Sequence, residues 1–437
     1  MAQKTPDDGL EDSGDGLEEM PSLEIRNIGC LATPLGREAR RGKAQGEIRR
    51  LKDAAVRAED GRLVFVGSES DYARQFAGRS ADVVLDARGR AVVPGLVDAH
   101  THPVWLGDRA AEIARRLAGE SYATIAAEGG GINATVRATR AGSGEQLASA
   151  VRKRLETMLA HGTTTAEAKS GYGLTESDEI RALELLRTLS AEPDLPRLVP
   201  TLLAAHEVPP EFARDRAEWV RIVAEKIVPR VAQEKLAAFC DVFCEKGVFT
   251  VEESRTILAA ARRAGLGLRV HADELARSGG AMLAAELSAA SADHLLFIEA
   301  EEIAALARAG TVAVVLPGTA WWMRSRRAPA RALVEAGVPV AVASDANPGT
   351  CCTESLAAVA AHACLDSGLT VEETLTGMTL NAAASLGLAG ETGSLEAGKA
   401  ADLLVLDAPD DRHLIYHWGI NLVDAVVLRG RVVKGRT

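Results

Sequence analysis

Val92-Val93-Pro94-Gly95-Leu96-Val97-Asp98-Ala99-His100-Thr101-His102 decides how the rest of the chain is read. An apolar run passes a Pro-Gly turn and ends in alternating Asp98, His100 and His102, as a buried strand does when it delivers polar groups to one end of a sheet. Residues two apart in an extended strand point to the same side. His100 and His102 can therefore place two imidazoles on one metal ion, with Asp98 behind them on the same face. A lone His-x-His is a weak signal, and it gains weight only from what surrounds it.

From Gly95 to Leu388, apolar strand-like runs alternate with long stretches rich in Ala, Leu, Glu and Arg, the pattern of a parallel sheet covered by helices. Eight strands are expected, at 92–100, 163–168, 197–205, 241–246, 267–272, 291–295, 312–316 and 339–344. Eight is the number that closes a (β/α)8 TIM-like barrel. Most of these runs end in a group capable of chemistry: His100 and His102, Glu167 and Lys169, His206, Glu245, His271 with Asp273 and Glu274, His294, and Asp345. The C-terminal strand ends of such a barrel share one mouth, so residues far apart in sequence meet there.

The two ends of the chain resemble each other. Leu23–Cys30, Arg62–Gly67 and Val83–Asp86, with Asp60-Gly61 as a hairpin-type turn, read as short strands; so do Ala401–Leu406, Ala425–Leu428 and Val432-Val433. A small β domain, a β-sandwich built from residues 21–94 and 389–437, is expected beside a barrel at 95–388. Residues 37–57, rich in Arg and Lys, read as a solvated loop or helix face. Residues 1–20 hold seven Asp or Glu against one Lys and almost no apolar residues, so a disordered acidic tail is expected there.

With 47% hydrophobic and 25% charged residues, the 437-residue chain has the balance of a soluble globular protein with a large core. Its net charge of −11 argues against nucleic acid or an anionic membrane as the main partner. No secretory leader and no membrane-length apolar run is visible, so the cytoplasm is the expected compartment. The six cysteines form no Cys-x-x-Cys pair and no disulfide framework; reduced thiols are expected.

His100, His102, His271 and Asp345 supply three imidazoles and a carboxylate from the ends of the first, fifth and eighth expected strands. Nitrogen and oxygen donors of this kind suit Zn²⁺, with Fe²⁺ or Mn²⁺ also accommodated. Water on such an ion loses a proton near neutrality, and the ion polarises a carbonyl. Glu274, three residues beyond His271, is placed to accept that proton, and His294 to polarise substrate or shuttle protons. His161 reads as a helix terminus before Gly162, and His362, His413 and His417 as structural. Gly129-Gly130-Gly131 lacks the Gly-Lys-Ser/Thr of a phosphate loop and is expected as a flexible loop over the mouth.

Val93–His102, together with Gly393-Ser394-Leu395-Glu396-Ala397-Gly398-Lys399-Ala400-Ala401-Asp402-Leu403, resembles the opening and closing motifs of the metal-dependent amidohydrolases. The interior blocks Gly129–Ile132, His161–Glu167, Lys169-Ser170-Gly171-Tyr172-Gly173-Leu174, Asp241–Phe249, His271-Ala272-Asp273-Glu274 and Asp345-Ala346-Asn347-Pro348-Gly349 are similar, in the same order, to the imidazolonepropionase family of histidine degradation. That resemblance implies hydrolysis of the ring lactam of 4-imidazolone-5-propanoate to N-formimidoyl-L-glutamate by a homodimer using one divalent ion, Zn²⁺ or Fe²⁺. By motif position it implies His100, His102, His271 and Asp345 as metal ligands and Glu274, His294 and Asp345 as catalytic residues. Arg109 and Tyr172 would grip the propanoate, while His206, Glu274, His294, Asn347, Gly349 and Thr350 would contact ring or product. Asp108, Pro103, Trp105, Trp321-Trp322 and Ala346 depart from the family's usual residues and could either repack the mouth or shift substrate preference. Two other readings stand beside this one: an amidohydrolase acting on another cyclic amide or a heterocyclic amine, and a non-catalytic barrel without its metal.

Overall fold

The strand expected at 92–100 is two strands. In the computed structural model, which describes residues 21–120, 124–125 and 128–435, Ala91–Pro94 belongs to a β-sheet outside the barrel and Leu96–Asp98 begins the barrel itself. The break falls at Pro94-Gly95 for local reasons. Proline has no N–H to give a ladder. The Gly95 N–H turns away to the Asp402 carbonyl at 3.0 Å. A Cβ on Gly95 would sit 2.1 Å from Thr164 Oγ1, so only glycine lets the chain cross the second barrel strand this closely.

The barrel strands are β1 (Leu96–Asp98), β2 (Thr163–Lys169), β3 (Arg197–Ala205), β4 (Phe239–Cys244), β5 (Gly267–Ala272), β6 (Ser291–His294), β7 (Val312–Val315) and β8 (Val340–Val342). Each pairs in parallel with the next. The ring closes just beyond the strand ends: Thr101 bridges Ala346, the Asp345 N–H donates to the His100 carbonyl at 3.0 Å, and the Ser344 N–H donates to Asp98 Oδ1 at 2.9 Å. Asp98 is thus the tie between first and last strands. Its full burial pushes the carboxyl up to about 7.

The covering helices begin where the sequence offers caps. Ser143 with Gln146, Thr250 with Glu253 and Thr370 with Glu373 form reciprocal capping boxes that satisfy the first N–H groups of their helices. The helix Gly144–Ala160 buries Leu147, Val151, Leu155 and Met158, a stripe at three- and four-residue spacing that lies against the sheet, and it ends at His161 before Gly162 at φ 93°. His161 is a helix terminus, as expected. His362 lies within the helix Leu356–Leu365, where its Nδ1 is 3.0 Å from Asp366, and His413 opens a short helix with His417 at its end.

Two further sheets form the small β domain. One holds Arg62–Ser68, Ala54–Glu59, Leu23–Ile28 and Val83–Asp86; the other holds Arg431–Lys434, Val423–Leu428, Leu403–Leu406, Ala91–Pro94, Cys30–Thr33 and Arg49–Leu51. Leu23, Ile25, Val56 and Leu63 of the first meet Leu31, Val92, Leu403 and Val427 of the second in one apolar core, a sandwich drawn from both chain ends. Residues 37–57 are not a loop or helix face throughout. They contain the edge strand Arg49–Leu51 and the start of Ala54–Glu59, whose Ala54, Ala55 and Val56 are buried. Basic residues hid this because Arg49 and Arg50 sit on an edge and Arg57 is buried with Glu59, the Tyr72 hydroxyl and the Ser80 carbonyl as partners. The acidic segment 1–20, expected as a disordered tail, lies outside the described residues.

Among the described residues, no helix is long and apolar enough to cross a membrane.

Candidate active site

β1 and its extension carry His100 and His102, fully or almost fully buried, to the centre of the barrel mouth. Their Nε2 atoms face each other at 3.2 Å. Asp345 Oδ1 approaches them at 3.6 and 3.3 Å from the opposite side of the closure, while its Oδ2 accepts a hydrogen bond from Thr319 Oγ1 at 2.6 Å. His271 at the end of β5 completes a group: one nitrogen from each of His100, His102 and His271 lies within 4.8 Å of the others. The His271 Nε2 is buried with no hydrogen-bond partner. Convergent imidazole nitrogens, one of them unpartnered, beside a carboxylate oxygen fit a divalent cation by donor type. Burial holds both His100 and His102 well below the ordinary imidazole range, so they are neutral donors.

Carboxylates inside the barrel orient these rings. Asp293 Oδ2 lies 2.6 Å from His100 Nδ1, which leaves Nε2 toward the site. Asp241 Oδ2 lies 2.9 Å from His271 Nδ1, and Asp241 Oδ1 accepts the His271 backbone N–H at 3.2 Å. Such partners fix tautomer and ring direction in metal sites. Neither Asp241 nor Asp293 was expected as a site residue. Asp293 is next to His294, and strict strand alternation would send only one of the two toward the mouth. His294 escapes that rule because it sits at φ 73°, as does Asp345 at φ 53° on the other side. Left-handed residues of this kind re-aim side chains at a cost of order 1–3 kcal/mol each and cluster at functional sites.

Above the imidazoles opens a cavity of about 410 Å³, within the range of small-molecule sites. Of the expected residues, His102, Arg109, Tyr172, His206, His271, Glu274, His294, Asp345, Asn347 and Thr350 line it. Glu274 and His294 face each other, with Oε2 and Nε2 3.5 Å apart. Burial, reinforced by the Asp345 charge, pushes Glu274 well above the usual carboxyl range, and burial pushes His294 down to about 3. A carboxyl that holds its proton more tightly than usual, beside a neutral imidazole, is a pair that can move a proton. The loop bearing Glu274 is held by Asp273, which accepts the N–H groups of Gly279 and Ala281 at 2.8 and 2.7 Å, and by Glu245, which accepts the Leu275 N–H at 2.8 Å.

The far wall is loop-borne. Glu112 Oε2 accepts Arg109 Nε and Nη2 at 3.1 and 2.9 Å, and its Oε1 accepts the Gly131 N–H at 2.9 Å. Of the glycine run expected as a loop, Gly129 and Gly130 lie in the turn and Gly131 opens the helix Gly131–Ala141, its N–H anchored to the arginine's partner. Gly349 makes room for the same arginine: a Cβ there would lie 2.1 Å from Arg109 Nη1. Asn347 folds its own turn, with Oδ1 accepting the N–H groups of Gly349 and Thr350, both at 2.8 Å. His206 Nδ1 donates to the Gly171 carbonyl at 2.9 Å, leaving Nε2 toward the cavity. Tyr172 is brought in by the loop Ser170–Leu174, which Glu179 organises by accepting the N–H groups of Gly171, Gly173 and Leu174 at 2.8–3.0 Å.

The residues that depart from the family pattern do not line this cavity. Asp108 accepts the Ala110 N–H at 2.7 Å and starts a helix. Trp105 lies under the Arg154 guanidinium, 3.4 Å from its ring centre, and Arg154 also donates to the Pro103 carbonyl. Trp321 is half exposed and stacks on His362; the Ala346 carbonyl accepts the His102 N–H at 2.9 Å. The cavity adds Ile132, Glu207, Phe243, Val248, Leu275 and Met323, apolar for the most part, none of them expected as a site residue although Ile132, Phe243 and Val248 lie inside the quoted blocks.

The profile of the amidohydrolase family matches residues 91–433. A curated imidazolonepropionase of Symbiobacterium thermophilum is 48% identical over 419 residues, covering 94% of this chain and 97% of that protein. The chain belongs to the imidazolonepropionases. Within that family, the Geobacillus kaustophilus imidazolonepropionase is 44% identical over 406 residues, with 93% of this chain and 94% of that protein covered, and the Porphyromonas gingivalis one is 45% identical over 414 residues, with 94% and 97% covered. Among solved structures, a zinc-bound adenosine deaminase of Xanthomonas campestris superposes with a TM-score of 0.72 at 21% identity over 94% of this chain and 93% of that one. A Xaa-Pro dipeptidase superposes with 0.66 at 16% over 95% and 100%. At such identities they show the fold shared by imidazolonepropionases with other amidohydrolases.

Proposed function

We propose that this cavity hydrolyses the ring C–N bond of 4-imidazolone-5-propanoate to N-formimidoyl-L-glutamate, with one Zn²⁺ or Fe²⁺ held by His100, His102, His271 and Asp345. The observation that carries the reading is the meeting, in one 410 Å³ cavity, of the imidazole–carboxylate cluster on one wall and Arg109 on the other. A bound divalent ion supplies Lewis acidity, drawing charge from the lactam carbonyl and easing deprotonation of water.

The chain's own residues do the rest. Arg109, braced by Glu112, offers a planar fork suited to a carboxylate, and Tyr172, lining the same cavity, joins it in fixing the propanoate. His206 and the turn Asn347–Thr350 bound the ring's position, while Phe243, Val248 and Ile132 exclude water from its flanks. Glu274 exchanges a proton between the attacking water and the departing ring nitrogen, and neutral His294 steers the carbonyl. A heterocyclic amine without an acid group would present nothing for the planar Arg109 fork to grip. The reading carries with it a cytoplasmic homodimer acting on this small molecule.

The test is incubation of the zinc-loaded protein with freshly prepared 4-imidazolone-5-propanoate, following ring absorbance and product mass. Loss of absorbance with appearance of the mass of N-formimidoyl-L-glutamate is the expected result. An unchanged compound beside a fully metal-loaded protein would sink the assignment.

A further inference from the structure

Beneath the imidazoles lies a closed layer of five ionisable side chains, Glu167, Lys169, Asp241, Arg269 and Asp293, all of them fully buried. Lys169 Nζ joins Glu167 Oε1 at 2.6 Å to Asp241 Oδ2 at 2.7 Å. Arg269 joins the same Glu167 Oε1, 3.4 Å from its Nε, to Asp293 Oδ2, 3.3 Å from its Nη2, and donates to the Ala99 carbonyl at 2.7 Å. The two ends of this chain of contacts are the carboxylates that touch His271 and His100. Glu167 is its midpoint. Its other oxygen, Oε2, accepts the N–H of Thr101 at 3.2 Å, the residue between His100 and His102, and its backbone carbonyl accepts the Thr101 hydroxyl.

Burying five charges is expensive, and well-packed apolar residues of similar volume often give equal or better stability. A network so placed therefore calls for a use other than holding the barrel together. Its connections supply one: the Lys169 arm from Glu167 ends on Asp241 beside His271, and the Arg269 arm reaches Asp293 beside His100. Three carboxylates stand against two cations, so the layer also presents net negative charge directly below the nitrogens that would face a cation.

We propose that Glu167 is a positioning residue for the metal ligands, a single buried carboxylate that fixes Asp241 and Asp293 through Lys169 and Arg269 and fixes the His100–His102 backbone through Thr101. This rests on the reading of His100, His102, His271 and Asp345 as ligands, and deepens it by naming what holds them. Glu167 itself touches neither cation nor substrate.

The test uses the full chain stripped of metal with a chelator, wild type beside Glu167→Gln, which keeps the side chain's shape and an acceptor for the Thr101 N–H but removes its charge. Zinc affinity is measured by competition with a chromophoric chelator, and thermal unfolding of the metal-free proteins is followed by circular dichroism. The expected result is one zinc per wild-type chain and an affinity about 10- to 100-fold weaker in the variant, with metal-free unfolding little changed, a combination that a merely structural role would not produce. A folded Glu167→Gln that binds zinc as tightly as wild type overturns the proposal. Should that variant not fold, Asp293→Asn decides in its place, because the Arg269 arm ends on the His100 contact: weakened zinc binding supports the network and unchanged binding overturns it. A wild type that takes up no zinc overturns the ligand assignment and this proposal together, whereas tight wild-type binding beside an equally tight variant overturns this proposal alone.

Discussion

The two walls of the cavity are built by different means. The imidazole wall is made of side chains at strand ends, His100, His102, His271 and Asp345, each at most 3% exposed, with His100, His271 and Asp345 each beside a buried partner. The rest of the lining is loop-borne, with Arg109 held by Glu112 and Asn347 and Thr350 held by hydrogen bonds within their turn, and Tyr172 reaching in from its loop with its ring 6.1 Å from that of His102. The difference teaches where precision is needed. On the proposed reading, chemistry that depends on ligand geometry rests on the barrel's rigid strands, and recognition of the substrate's tail rests on segments that can vary without disturbing the strands.

Substitutions on each wall should therefore separate cleanly in kinetics. The largest effect is expected from His271→Ala, which removes a donor of the cluster. Metal content falls below one per chain, and several kcal/mol of transition-state stabilisation disappear, about a thousandfold or more in rate; elemental analysis and turnover measured together check this. Glu274→Gln keeps the shape of the side chain facing His294 but cannot take a proton. It should lower kcat by about 10²- to 10⁴-fold with KM little changed and metal content intact. A fall in metal content in that variant would break the division between the walls, since Glu274 is given no place among the ligands.

On the recognition wall the signature reverses. Arg109→Ala should raise KM by about 10- to 100-fold while kcat stays within a few-fold, because charge-assisted hydrogen bonds of about 1.5–3 kcal/mol are lost from the bound tail. Gly349→Ala sharpens the point, since the new Cβ would fall 2.1 Å from Arg109 Nη1 and push the fork aside without removing it. A KM rise of about three- to tenfold is expected, smaller than for deletion of the arginine. The smallest effect is reserved for Trp105→Phe and Trp321→Phe. Neither tryptophan lines the cavity, so steady-state constants should stay within about twofold of wild type, and a change of substrate preference in either would show that the cavity wall extends further than its lining residues.

The same division explains what could be read in advance. His-x-His at a strand end, with His271, Asp345 and Glu274 at the ends of later strands, follows from two-residue periodicity and the shared mouth of a barrel, so the metal wall was legible from residues alone. Arg109, Tyr172 and the Asn347–Thr350 turn carry no periodicity, and only the resemblance to a family marked them. Their partners Glu112 and Glu179 were not legible at all, because a carboxylate accepting loop N–H groups has the same sequence appearance as a solvated glutamate on a helix. Asp293 was hidden by His294, whose left-handed backbone breaks the alternation on which the reading relied. The barrel and the sandwich from both ends were visible in outline. The junction between them was not, since Val92–His102 reads as one strand until Gly95 is seen pressed against Thr164.

The most direct measurement compares the zinc-loaded wild type and Arg109→Ala on two substrates, 4-imidazolone-5-propanoate and its uncharged propanamide counterpart. Wild type should prefer the acid by about 10- to 100-fold in kcat/KM, and the variant should lose most of that preference while keeping its turnover of the amide. A wild type that hydrolyses neither, or an Arg109→Ala variant that keeps the full preference for the acid, would contradict the account.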